Sequence, residues 1–173
     1  MPRPGQQKDP ERPAPRLRRA YYDCRYGQLH LHNAIPPGGG FDELTPVICL
    51  PGSGETAQVF VPVLAPLGAQ RSVYAIDQPG TGGSDPAPGV PVIEATVHAV
   101  SDFLDNMRIR TTDLIARGSA ATAALKLIEL RGESVRRALL IGAEGVRGGT
   151  RAITLTEAEA QPARLLQLLA HTS

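Results

Sequence analysis

The chain has no Trp, and its few Tyr and Phe residues bring aromatics to only 4% of 173 residues. With large rings so scarce, Leu, Val, Ile and Ala must fill any core. Cysteine is also rare: Cys24 and Cys49 are the only two. They form no CxxC pair and have no Cys/His ligand spacing, so neither a disulfide framework nor a metal site is indicated. Each sits in a strand-like run, which suits a buried free thiol in a reducing cytoplasm. The sequence contains no apolar run of about 18 residues, so no membrane span is expected. The N-terminus has no apolar h-region of the kind a secretory signal needs. Charge of one sign is missing too. The formal net charge is +1, which gives the whole chain no bias toward nucleic acid or acidic partners.

What remains is an ordinary globular balance, with 42% hydrophobic and 20% charged residues. The length suits one domain, large enough to bury a core without cross-links. The near-zero net charge hides an asymmetry. Arg3, Lys8, Arg12, Arg16, Arg18 and Arg19 stand against Asp9 and Glu11 in residues 1–19, and the rest of the chain is net negative. Pro and charge dominate this segment and it has no apolar face. It therefore reads as a disordered basic tail, with residues 20–173 as a single domain. Such a tail can touch a phosphate or lipid surface, although a soluble leader is the plainer reading.

Residues 21–25 and 28–34 read as two strands joined at Tyr26-Gly27. The alternation Gln28-Leu29-His30-Leu31-His32 fits a half-exposed antiparallel hairpin. Apolar runs at 47–50, 72–76, 112–116 and 137–141 read as buried strands. Between them, 59–67, 92–107 and 119–131 read as helices, the last stopped by Gly132. Thr156-x-x-Glu159 resembles a capping box ahead of a helix over 163–169. A hairpin followed by βαβαβ predicts an α/β fold: a mostly parallel sheet of about six strands, with helices on both faces.

Three segments carry more specific information. Val47-Ile48-Cys49-Leu50-Pro51-Gly52-Ser53-Gly54 is a strand ending in a sharp turn. Asp77-Gln78-Pro79-Gly80-Thr81-Gly82-Gly83-Ser84 is a D-x-x-G-x-G-x-S loop, in which Gly80 and Gly82 permit positive φ and Asp77 and Ser84 can tie the loop to its own backbone. It is neither a P-loop nor a dinucleotide-binding turn, so no cofactor is expected. Asp113-Leu114-Ile115-Ala116-Arg117-Gly118-Ser119-Ala120-Ala121 is a strand-to-helix junction.

Together these segments resemble the α/β-hydrolase superfamily over about residues 21–145. The resemblance implies an oxyanion-binding backbone N–H at Ser53, with Pro51 where the family has His. It also implies a nucleophile elbow at the third segment, which needs small residues two before and two after the nucleophile. Gly118 in that position places Ala116 and Ala120 correctly. Ser119 there would place the long Arg117 in a crowded spot, so Gly118 is the better register and Ser119 a weak candidate. Glycine has no side chain with which to attack a carbonyl.

The family's acid and His follow later strands, and too few residues follow Gly142 for two more βα units of about 30 residues each. Of the histidines, His30 and His32 are expected on the hairpin, away from the strand ends that build the site. His98 is expected exposed in mid-helix, and His171 lies near the terminus. No Ser-His-Asp arrangement is expected within the chain.

The reading that follows is a non-catalytic, truncated α/β-hydrolase-like protein. Gly52, Ser53, Gly54, Arg117, Gly118 and Ser119 would form an anion nest for a small carboxylate or phosphate ligand. The alternative is an altered hydrolase that uses Ser119 or Ser53 with a His from another subunit. A third reading is a piece of a disrupted gene. Homodimerisation is also expected. Residues 137–141 would be an unpaired apolar edge, and the C-terminal helix, with Leu165, Leu166, Leu168 and Leu169, would fold over it or dock on a second subunit.

Overall fold

A computed structural model of the chain describes residues 14–38, 44–143, 146 and 149–170. The first two strands, β1 (Arg16–Cys24) and β2 (Gly27–Ile35), form an antiparallel hairpin paired from Cys24↔Gly27 out to Arg16↔Ile35. Gly27 takes φ +118 where the chain leaves the turn, a conformation that favours glycine. β1 starts earlier than the sequence reading placed it. Arg16, Leu17, Arg18 and Arg19, assigned there to the tail, are strand. Charge obscured the pattern, because only one side of β1 is covered and its arginines face water. Residues 1–13 lie outside the described residues.

The chain then alternates. β3 (Val47–Leu50) leads through a short turn at Ala57–Phe60 into α1 (Val61–Gly68). β4 (Val73–Ile76) precedes α2 (Val92–Asn106), and β5 (Thr112–Arg117) precedes α3 (Ala120–Arg131). β6 (Val135–Ile141), β7 (Ala152–Leu155) and α4 (Pro162–Ala170) complete it. The strands form one seven-stranded sheet in the order β1-β2-β4-β3-β5-β6-β7. β2 meets β4 antiparallel, and every pairing from β4 to β7 is parallel.

Two apolar layers sandwich the sheet. On one face Leu29, Leu31, Ile48, Leu50 and Leu114 pack against Val100 and Phe103 of α2 and Ala120, Ala124 and Leu127 of α3. On the other, Val47, Cys49, Ile115 and Leu139 pack against Leu64 and Leu67 of α1 and Leu165, Leu168 and Leu169 of α4. The expected aliphatic core and two-sided helix cover are both present. Burial pushes the Cys49 thiol well above its ordinary pKa, so it stays a protonated, apolar group. No helix among the described residues is long and apolar enough to cross a membrane.

The expectation about the sheet edge is corrected. Residues 137–141 are not an edge, because β7 pairs parallel to β6 from Ala138↔Ala152 to Ile141↔Leu155, and the Gly142 N–H donates to Leu155 O. β7 is only four residues long and lies among polar residues, which left it without a recognisable period. Nor do the leucines of α4 await a partner: Leu165 and Leu169 are 1% exposed. Arg136 donates to the Leu169 carbonyl at 2.7 Å, and Arg137 donates to that of Leu168. These bonds satisfy carbonyls at the helix end that would otherwise lack partners. The reciprocal bonds of Thr156 and Glu159 do form, but they close a turn that ends before α4 begins.

Arg136 also grips the fully buried Asp113 with two bonds, Nε to Oδ1 at 3.0 Å and Nη2 to Oδ2 at 2.6 Å. This hydrogen bonding raises the Arg136 pKa despite partial burial. Removing one partner of such a pair leaves the other charge without compensation. Asp113→Ala should lower stability by about 3 kcal/mol, measured as a fall in the urea midpoint at unchanged slope. A midpoint within error of wild type would show that the pair is not structural.

Candidate functional site

The carboxyl ends of the parallel strands converge on two turns. At the end of β5 the chain reverses into α3. Gly118 takes φ +50, while Ser119 has the right-handed helical angles of an N-cap, φ −63 and ψ −23. The Gly118 N–H donates to Ile141 O of β6 at 2.9 Å, which fixes the bend against the neighbouring strand. Ala116 and Ala120, two residues to either side of Gly118, are 0% and 1% exposed. The left-handed conformation therefore falls on the glycine, with small residues where strand and helix crowd.

The turn after β3 lies against this bend. A Cβ on Gly52 would sit 3.1 Å from Arg117 O, so the two backbones approach as closely as glycine allows. The Gln78 side-chain amide donates to Pro51 O at 2.8 Å and pins the end of β3. The Ser53 N–H donates to Ser119 Oγ at 3.0 Å. Gly54, at φ +76, is exposed beside it. All six residues read from the sequence as a ligand site are thus brought together. However, the Ser53 donor that would face an anion is occupied by the Ser119 hydroxyl.

Arg117 differs more from expectation. Its guanidinium does not stand free over the turn. Nε donates to Glu55 Oε2 at 2.9 Å, Nη1 to Glu157 Oε2 at 2.9 Å, and Nη2 lies 2.6 Å from Glu157 Oε1. Burial pulls its pKa down, but the bonds to Glu157 and Glu55 outweigh that and leave it raised. Its positive charge is matched twice over, so it adds no net attraction for an anion. Glu157 also lines a cavity of about 270 Å³ with Gly142, Ala143, Thr154, Leu155, Thr156 and Glu159 at the ends of β6 and β7. Sequence reasoning missed Glu55 and Glu157. Only the position of β7 brings Glu157 to Arg117, and β7 had no recognisable pattern.

The D-x-x-G-x-G-x-S loop does the tying expected of it. Asp77, 2% exposed, accepts from the Ala57 N–H at Oδ1 (2.7 Å) and from the Gly83 N–H at Oδ2 (3.0 Å). Ser84 Oγ donates to Asp77 O at 2.7 Å and accepts the His30 N–H at 2.9 Å. His30 corrects an expectation. Because β2 runs antiparallel to β4, His30 lies at the carboxyl end of β4, with Nδ1 2.8 Å from Asp77 Oδ2. It is on the strand-end face after all, engaged by Asp77. His32 is half-buried, and burial followed by the nearby His30 lowers its pKa. His98 is also half-buried, with Nδ1 2.6 Å from the Tyr26 hydroxyl, contrary to its expected exposure. His171 lies outside the described residues. None of the three described histidines hydrogen-bonds Ser53 or Ser119. Among the described residues no cluster of His, Cys, Asp and Glu could hold a metal ion.

The fold and the paired turns define the class. A model of the alpha/beta hydrolase family matches residues 47–172, and the chain belongs to that family. Among solved structures it is similar to naproxen esterase (carboxylesterase NP) from Bacillus subtilis, with a TM-score of 0.64 at 21% identity over 73% of this chain and 43% of the other. A serine hydrolase from the polyaromatic-hydrocarbon-degrading bacterium Cycloclasticus zankles gives 0.65 at 22%, covering 77% and 48%. An epoxide hydrolase from an endophytic Streptomyces gives 0.62 at 19%, covering 72% and 37%. The chain spans less than half the length of each.

The glycines of the two loops should respond differently to a methyl group. A Cβ on Gly82, at φ +50, would lie 2.1 Å from Asp77 Oδ2, whereas one on Gly118 meets nothing within 4 Å. Gly118→Ala should cost only the left-handed penalty of about 1–2 kcal/mol. Gly82→Ala should cost clearly more, because Asp77 must also move. Thermal melts of the two variants check the ranking, and equal losses would contradict the account of Asp77.

Proposed function

We propose that this chain is a non-catalytic α/β-hydrolase that binds a ligand or partner at the turns formed by Gly52, Ser53 and Gly54 and by Arg117, Gly118 and Ser119. The carrying observation is Gly118 at φ +50 in the elbow. The position that should present a nucleophile has no side chain. The nearest hydroxyl, on Ser119, lies one residue further on and accepts the Ser53 N–H. A nucleophilic hydroxyl needs a base within hydrogen-bond reach, and none of the described histidines bonds Ser119 Oγ.

A small anionic ligand is the class assigned to this turn, and it would have to displace the groups that now occupy the donors. It would take the Ser53 N–H from Ser119 Oγ and one face of Arg117 from Glu157. The Glu157 side chain is 62% exposed, and such a surface pair is worth about 0–1 kcal/mol, so displacing it costs little. A second reading has one observation in its favour. Ser119 Oγ sits 3.0 Å from the backbone N–H that would stabilise an oxyanion, so a His from another subunit would make Ser119 a nucleophile.

Hydrolysis of p-nitrophenyl acetate separates the two readings. The expected result is no turnover above the buffer rate for the wild type, and none gained in Gly118→Ser, which adds a hydroxyl but no base. Turnover that scales with protein concentration and disappears in Ser119→Ala would establish the second reading.

A further inference from the structure

β1 lies at the rim of the sheet, and among the described residues nothing pairs with its outer edge. Its nine residues span about 30 Å, and alternate ones direct their N–H and C=O groups outward, away from β2. An edge of this kind is a template for another strand unless its side chains forbid one. Here the side chains select instead. Arg16, Arg18 and Arg19 are exposed and make no ion pair among the described residues, against a single acid on the strand, Asp23. A second copy of β1 would bring like charges together, whereas an acidic strand would meet the opposite charge.

An apolar groove runs beside the same edge. Leu17, His32, Val61 and Leu64, with Arg18 and Arg19, line a cavity of about 160 Å³ between the hairpin and α1. Leu17 is 51% exposed, Tyr21 57% and Val61 38%, and Leu64 is buried. Leu17, Arg19 and Tyr21 share one face of β1 and Arg16 and Arg18 the other, and Arg18 still borders the groove. The backbone edge supplies affinity and the adjoining groove supplies side-chain selection, as in recognition by strand addition. Exposed apolar groups rimmed by charge mark a surface of this kind.

We infer that β1 accepts an extended, acidic segment of another protein as an additional strand. Its apolar side chains face Leu17, Val61 and the groove, and its alternate acidic side chains meet Arg16 and Arg18. Arg19, on the groove face, engages an acid flanking the apolar position. The arginines that repel a second copy are the groups that choose this partner.

The test uses the full chain and a fluorescein-labelled Glu-Val-Glu-Val-Glu-Val-Glu peptide, read by fluorescence anisotropy. Saturable binding is expected, at least about tenfold weaker in the Arg18→Glu/Arg19→Glu variant with an unchanged melting temperature. If that variant does not fold, Leu17→Asp supplies the same comparison. N-methylating one alternate set of the peptide's amides should abolish binding, and methylating the other set should leave it intact. Four results would overturn the inference. The first is no saturable binding, or equal binding of a Lys-Val-Lys-Val-Lys-Val-Lys peptide. The second is binding indifferent to N-methylation, which would be electrostatic adhesion alone. The third is a dimer, seen by sedimentation, that the variant breaks and the peptide does not. The fourth is recruitment to phosphatidylserine vesicles in preference to the peptide.

Discussion

One buried carboxylate holds together the parts on which the site depends. Asp77 accepts the His30 ring from β2, the Gly83 N–H from its own loop and the Ala57 N–H from the turn after β3. Three elements distant in sequence are thereby set at the carboxyl end of the sheet. The loop could not wrap the carboxylate so closely without Gly82, whose missing Cβ is the space Asp77 Oδ2 occupies. A carboxylate this deeply buried is tolerable only with its acceptor positions filled, and each filled position is also a positional constraint. Beside that frame, the Gln78 amide on Pro51 O pins the Gly52 turn that lies against Arg117 O.

On this frame the elbow keeps its sharp shape, with a glycine at the bend. The sharp bend, the small flanking alanines and the neighbouring backbone donor are all present at Gly118. The groups around them have settled into internal pairs: Ser53 N–H with Ser119 Oγ, and Arg117 with Glu55 and Glu157. Preorganised donors aid a reaction only when they point at developing charge. Here they are satisfied by the protein itself.

Much of this could be read from residue order alone. The D-x-x-G-x-G-x-S loop has few physical alternatives, and the apolar runs at β3, β4, β5 and β6 are bounded by Pro and Gly. The sharp bend at the end of β5 was legible because a glycine stands there with alanines two residues to either side. Two things were hidden. β7 has four residues and no clear alternation, so its pairing with β6 depends on tertiary contact. The Arg117 pairs were hidden with it, since Glu157 reaches Arg117 only once β7 is in place. The placement of His30 was lost for a different reason. A hairpin residue is near the strand ends only if β2 runs antiparallel to β4, and a neighbour relation in the sheet is not a property of either segment alone.

The central claim is that no hydroxyl at the elbow is activated. Intact-mass spectrometry after brief incubation with diisopropyl fluorophosphate tests it most directly, because the reagent reacts far faster with an activated serine than with an ordinary hydroxyl. The account predicts an unmodified mass for the folded protein. A single adduct mapping to Ser119 or Ser53, and absent after denaturation before labelling, would contradict it.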